Sequence, residues 1–202
     1  MKVLVACEYS GIVRDAFTAK GHNAWSCDIL PTESKGNHIQ DDVLKHLDKG
    51  WDLMVAHPPC TYLSKAGARW LYKNNKLQQN RYNLGLEAKE FFLKLLNANI
   101  PKICVENPTP MKIFNLPKPS TYIQPFEYGH QYSKKTLLWL KNLPPLIATK
   151  IIKNYTTFLP SNTGLGKRLG QKHNIKKVSK DWNKEHSKFF KGFAEAMANQ
   201  WG

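Results

Sequence analysis

Cys60 lies in the stretch WDLMVAHPPCTYLS (51–64), directly after an apolar run meets two consecutive prolines. Pro58 and Pro59 fix two φ angles and remove two backbone donors, so the thiol stands at a stiff bend. A bend of that kind is either a plain strand-ending loop or a way of aiming a nucleophile. Glu106 ends a second very apolar run, KICVENP (102–108), 46 residues after the cysteine. A thiol that attacks and a carboxyl group that moves a proton are the two parts of covalent catalysis on an electron-poor ring or carbonyl.

The elements that must hold this pair follow from periodicity. KVLVA (2–6), NAWSCDIL (23–30), WDLMVA (51–56) and KICVENP (102–108) read as buried strands. IVRDAFTAKGH (12–22) and LGLEAKEFFLKLLNA (84–98) carry apolar residues at helical spacing, and Gly21 is placed to end the first helix. HIQDDVLKHL reads as a short segment and a turn of helix, and LYKNNKLQQN as a Lys- and Asn-rich loop. Strands alternating with helices predict an α/β fold with a mostly parallel, Rossmann-like sheet and helices on both faces. Ligands bind such sheets at the carboxyl ends of the strands. Glu8 to Gly11, Asp28, Asp42, His57 to Cys60 and Glu106 to Pro108 all fall at those ends.

After Pro108 the character changes. TLLWL (136–140) reads as a strand, 149–183 is polar and basic with weak periodicity, and the C-terminal stretch through Phe189, Phe193 and Met197 returns to helical spacing. The expected organisation is a catalytic unit over 1–148, a basic nucleic-acid-contacting region over 149–184, and a helix over 185–202 that packs back on the first unit. The 202 residues carry a net charge of +15. Eleven Lys and Arg against two acids lie between Lys150 and Lys191, so +9 of the +15 sits in that stretch. Charge concentrated this way suits phosphate contacts, with a solvated Lys-rich surface as the plain alternative. No apolar run reaches the roughly 18 residues of a membrane span, and the N-terminus reads as a strand and not a signal peptide. A soluble, cytoplasmic protein is expected. Cys7, Cys27 and Cys104 read as buried reduced thiols, and no Cys spacing suggests zinc.

The order YSGIVRDAF, CDIL, DDV, HPPCTYLS, VENP, GHQYSKKTLLWL and FFKGFAEAMANQWG resembles the S-adenosylmethionine-dependent DNA cytosine-5 methyltransferases, above all the small phage and prophage members. The resemblance covers 1–148 and, more faintly, the last helix. It implies that Cys60 adds to cytosine C6 and that Glu106 protonates N3 and bonds the exocyclic amine. It implies that Ser10 and Gly11 underlie the methionine end of the cofactor, with Pro58 nearby. Asp28 would bind the ribose, and Asp42 and Val43 would hold the adenine. Pro59, Asn107, Lys134 and Thr136 are the expected substrate contacts, and no metal is expected. Cations near Cys60 are expected to lower its pKa.

Each residue also has a structural reading: Asp28 as a cap, Gly11 as a turn glycine, Asp42 as a solvated acid beside Asp41, Glu106 as a cap or ion pair, and Lys134 as a solvated edge lysine. His57 reads as a satisfied strand-end histidine. Departures from the family are equally visible. Cys7 stands where an acid is usual, leaving Glu8 to supply a carboxylate for the cofactor. Val13 and Arg14 replace glycines, and where family members carry a separate recognition domain the stretch after residue 148 is expected to supply only a basic region. Short or relaxed sequence specificity, or a partner that supplies it, is expected. The rival readings are cytosine-5 methylation of RNA or a free cytosine nucleotide, and a non-catalytic nucleic-acid-binding protein with a decayed cofactor pocket.

Overall fold

The computed structural model of the chain describes residues 1–157 and 189–202. In chain order, β1 (Lys2–Ala6) leads to α1 (Ile12–Thr18), β2 (Asn23–Asp28), β3 (His38–Gln40) and β4 (Leu53–Ala56). A short helix α2 (Ala68–Leu71), the strands β5 (Tyr72–Lys73) and β6 (Lys76–Leu77), and the long α3 (Gln79–Leu96) follow. Next come β7 (Lys102–Pro108), β8 (Thr121–Ile123), β9 (Tyr132–Ser133), β10 (Thr136–Lys141), β11 (Thr156–Thr157) and α4 (Lys191–Trp201).

Seven strands form one sheet in the order β3-β2-β1-β4-β7-β10-β8. The first five are parallel, and β10 runs antiparallel between β7 and β8. The fold is therefore α/β with a mostly parallel sheet, as the alternation predicts. The chain winds outward from β1 to β3 and then returns to β4 on the other side of β1. That reversal opens a crevice at the carboxyl ends of β1 and β4.

Alternate side chains of each strand serve opposite faces. Val3, Val5, Leu53 and Val55 pack against Val13 and Phe17 of α1 and Phe193, Met197 and Trp201 of α4. Leu4, Ala6, Met54 and Ala56 pack against Phe92 and Leu95 of α3. Burial on both faces explains why the strands read as continuous apolar runs.

Three local differences from expectation have physical causes. First, α1 closes early, in a Schellman motif: His22 N–H donates to Phe17 O at 3.2 Å and Gly21 N–H to Thr18 O at 2.9 Å, with Gly21 at φ +81°. Second, α3 begins earlier than its apolar pattern, at Gln79, because its first turn is polar. Third, LYKNNKLQQN is no open loop. Asn74 and Asn75, at φ 50° and 60°, turn β5 into β6 as a two-residue hairpin.

The first turn after β1 is held from within. Arg14 is 1% exposed. Its guanidinium donates to Ser26 Oγ at 3.2 Å, Thr32 Oγ1 at 3.3 Å and Lys35 O at 3.1 Å, and pairs with Asp15 at 2.7 Å. Where glycines were expected, an arginine thus stitches the 32–35 loop to α1. The basic stretch expected at 149–184 starts with Lys150 N–H on Glu127 O at 3.1 Å and Tyr155 stacked on Phe126 at 4.0 Å. From residue 158 it lies outside the described residues, as does 185–188 of the expected C-terminal helix. Among the described residues no helix is long and apolar enough to cross a membrane.

Because its partners would be left unpaired, Arg14→Leu should cost about 3 kcal/mol, or roughly 6–12 °C in melting temperature for a domain of this size. A thermal melt checks this. An unchanged midpoint would show that the network does not support the fold.

Candidate active site

The loop that carries Cys60 is built by the end of β4. His57 N–H donates to Ala6 O at 2.9 Å, and the two prolines after it stop the ladder. Pro58 is buried and Pro59 exposed. Cys60 then opens a turn, its carbonyl accepting from Leu63 N–H at 3.2 Å and Ser64 N–H at 2.9 Å. Lys65 N–H on Thr109 O at 2.9 Å and Met111 N–H on Leu63 O at 2.7 Å fasten this turn to the chain beyond β7. The thiol is held on both sides.

β7 lies next to β4 with Val105 opposite Ala56, so Glu106 comes level with the residue that begins the loop. Its carboxylate reaches both neighbours. It lies 3.6 Å from His57 Nδ1 and acts on the Cys60 thiol. The thiol's pKa is raised, first by burial and then by the Glu106 charge, with Lys134 and a hydrogen bond involving Ser64 opposing both. The expected lowering by cations is thereby corrected. Among the described residues, Lys134 lowers the thiol's pKa but is outweighed by desolvation and a carboxylate.

His57 is not the satisfied histidine expected. Among the described residues neither ring nitrogen has a hydrogen-bond partner, and the ring lies 4.6 Å from that of Phe189. Asn107 is fully buried, its Nδ2 donating to Pro108 O at 2.6 Å and its Oδ1 without a partner among the described residues. Lys134 Nζ lies 5.7 Å from the centre of the Phe190 ring. Thr136 is buried, its hydroxyl donating to Lys134 O at 3.2 Å. His130 fixes α4, its Nε2 accepting from Gly192 N–H at 3.0 Å.

A second group lies across the crevice, at the ends of β1 and β2 and after β3. Cys7 turns the chain at φ 58°, an uncommon value for a residue with a side chain. Burial pushes its thiol well up, and the carboxylates of Asp28 and Asp42 push the same way. Those two acids therefore converge on one place. Asp28 Oδ1 accepts from Leu30 N–H at 2.9 Å, and Asp42 Oδ1 caps a short turn by accepting from Leu44 N–H at 3.0 Å. Val43 is buried beneath. Ile29, between these acids along the chain, is 74% exposed. Asp41, in contrast, is occupied by Lys45 at 2.8 Å and His46 at 3.1 Å, and its carboxyl is held well below the usual range.

Glu8 faces α1. Its Oε1 accepts from Val13 N–H at 2.7 Å and Ser10 Oγ at 3.2 Å, and its Oε2 from Arg14 N–H at 3.1 Å. Ser10 Oγ in turn accepts from Ile12 N–H at 3.4 Å. The space a Cβ would take at Gly11, at φ +75°, is filled by Arg14 and Ser34. Both the glycine and Glu8 thus serve the shape of this turn. Sequence reasoning missed Ile29, the orphaned nitrogens of His57, and Ser64. Only Ser64 had a local signal, standing four residues beyond Cys60 in a turn.

No family model and no curated protein matches the chain. Among solved structures it is similar to a crystal structure of a candidate DNA modification methyltransferase encoded within a prophage of E. coli. The TM-score is 0.43 and the identity 14%, over 69% of this chain and 46% of that one. This chain spans less than half the length of that neighbour. The likeness is too distant to carry an argument about function. Among the described residues no group of three or more His, Cys, Asp or Glu is placed to hold a metal ion.

The charges around Cys60 have a direct readout in alkylation rate against pH, followed at that residue by peptide mass. The wild-type thiol should titrate above the ordinary value of about 8.5. Glu106→Gln removes a negative neighbour and should bring the midpoint down, and Lys134→Met should push it further up. Identical profiles in all three proteins would mean these groups do not share a site.

Proposed function

We propose that the chain transfers a methyl group from S-adenosylmethionine to C5 of cytosine in DNA, through a covalent bond between Cys60 and C6. The observation that carries this reading is the meeting of the Cys60 thiol with the Glu106 carboxylate at the ends of adjacent strands, with Lys134 beside them. A protein that only binds nucleic acid has no use for that pair.

Cytosine C5 is a poor nucleophile until a thiolate adds to C6, and that addition drives electron density toward N3. The step needs the thiol proton removed and a proton delivered to N3. In this reading Glu106 takes the first and gives the second. A raised thiol pKa suits this order, because the thiolate then forms only as it attacks. Lys134 stabilises the negative charge as it passes between sulfur and carboxylate. Asn107 Oδ1, buried without a partner among the described residues, suits a donor on the base. Exposed Pro59 offers a ring face beside the thiol, and Thr136 holds the Lys134 backbone in place.

In this reading the cofactor would occupy the Asp28 end of the crevice. Asp28 is half-exposed with a carboxylate oxygen suited to ribose hydroxyls. Asp42 and Val43 would border the adenine, against which exposed Ile29 supplies apolar surface. Glu8, Ser10 and Gly11 would shape the loop under the methionine end from behind, with Pro58 packed at its far wall. When bound, S-adenosylmethionine supplies the electrophilic methyl group. The same net charge of +15 that favours DNA exceeds what a free nucleotide would need.

Methyl transfer from labelled S-adenosylmethionine tests this, with duplex DNA, single-stranded DNA, RNA and dCMP as acceptors. Label should appear in DNA as 5-methylcytosine and vanish in Cys60→Ser. Glu106→Gln should lower the rate about 10²–10⁴-fold, as for loss of a general acid. Full activity in Cys60→Ser, or no cofactor binding at all, would refute the proposal.

A further inference from the structure

The turn that starts at Cys60 runs straight into the β5–β6 hairpin, and that hairpin is built for a task the core does not require. Its root is fixed. Leu71 is fully buried, Gln78 N–H donates to Leu71 O at 2.9 Å, and Gly67 N–H donates to Ser64 O at 3.0 Å. Arg81 donates to Thr61 O at 3.0 Å and lies 4.9 Å over the Tyr62 ring, tying α3 to the nucleophile turn. A Cβ at Gly67 would run into Thr61 O and Arg81, so this close approach needs the glycine.

Above that root the side chains turn outward. Trp70 is 60% exposed and Tyr72 48%. The Arg69 guanidinium sits 4.7 Å over the indole of Trp70, which steadies the ring while leaving it largely open. Lys73 and Lys76 flank the Asn74–Asn75 turn, and all four are exposed. An open groove of about 420 Å³ runs beside the hairpin, with Lys65, Tyr72, Met111 and Lys112 among its walls. Two large aromatic rings open to water, Trp70 on α2 and Tyr72 on the β5–β6 hairpin that follows it, interleaved with cations, match a stacking platform for nucleobases. Duplex DNA presents base edges in its grooves but hides base faces within the stack. Stacking surfaces therefore select a strand whose bases are unpaired.

We infer that the surface formed by α2 and the β5–β6 hairpin, residues 69–77, binds unpaired bases of the DNA strand that presents its cytosine to Cys60, so that the preferred acceptor is single-stranded or locally opened DNA. The aromatic rings grip base faces, and Lys73 and Lys76 take the adjoining phosphates. This rests on the DNA-directed part of the function proposed above and deepens it. It also gives the chain a way to hold its substrate without reading base edges.

The test is equilibrium binding of the full-length protein to a fluorescent single-stranded oligonucleotide and to its duplex, across a salt series and without S-adenosylmethionine. The double variant Trp70→Ala/Tyr72→Ala should bind the single strand about five- to a hundredfold more weakly per base lost from the stack, with an unchanged salt slope. Lys73→Ala should instead reduce the slope by about 0.7. Trp70→Phe should retain most of the affinity, and thermal melts of all variants should match wild type because the replaced side chains are exposed. An oligonucleotide with abasic sites should bind wild type as weakly as the intact strand binds the double variant. Equal affinity of wild type and double variant for the single strand would overturn the inference. So would equal losses on duplex and single strand, or a tenfold preference for RNA of the same sequence. Binding is read without methyl transfer, so an inactive protein with an aromatic-dependent single-strand site would sink the enzyme reading alone. An active one indifferent to these substitutions would sink the hairpin alone.

Discussion

The site depends on the register between β4 and β7. With Ala56 opposite Val105, the residues after each strand emerge together at the carboxyl edge, and Glu106 meets the loop that carries Cys60. A slip of one residue would turn Glu106 toward a core face and bring Val105 to its place. The slip is prevented by the packing of the strands themselves. Leu53, Met54, Val55 and Ala56 are fully buried, alternately under α1 with α4 and under α3. The apolar core is thus the device that aligns two polar groups at its rim.

That alignment sets groups of opposed preference against one another. The thiol is desolvated and faces a carboxylate, both of which hold its proton on, while Lys134 pulls the other way. His57 adds a ring beside the same carboxylate, neither of its nitrogens hydrogen-bonded among the described residues. A buried polar atom without a partner costs free energy, and such atoms recur where a ligand completes the set. Asn107 Oδ1 belongs to the same group. Deeper in, Arg14 is also buried but is hydrogen-bonded on several sides, Ser26 of β2 among its partners.

The parallel strands were legible because burial on both faces leaves uninterrupted apolar runs, and their ends were marked by prolines, aspartates and glutamates. From strand ends alone, Cys60 and Glu106 could be expected to converge. The placement of β10 between β7 and β8 was not legible, since pairing between distant strands leaves no local pattern. Nor was the hairpin, whose strands of two residues are too short and polar to show alternation. The thiol's pKa direction also escaped the sequence, because counting lysines says nothing about which one stands nearest. Arg14 read as a lost glycine until its partners at Ser26, Thr32 and Lys35 appeared across the turn.

The central claim is a bond between Cys60 sulfur and cytosine C6, and it can be trapped. In DNA carrying 5-fluorocytosine, the methyl group can be accepted at C5 but fluorine cannot leave as the proton does, so the cysteine is not expelled. Intact mass and peptide mapping after incubation with S-adenosylmethionine should give a stable protein–DNA adduct on Cys60, dependent on cofactor and missing in Cys60→Ser. No adduct with either single-stranded or duplex DNA, or an adduct on another residue, would contradict the account.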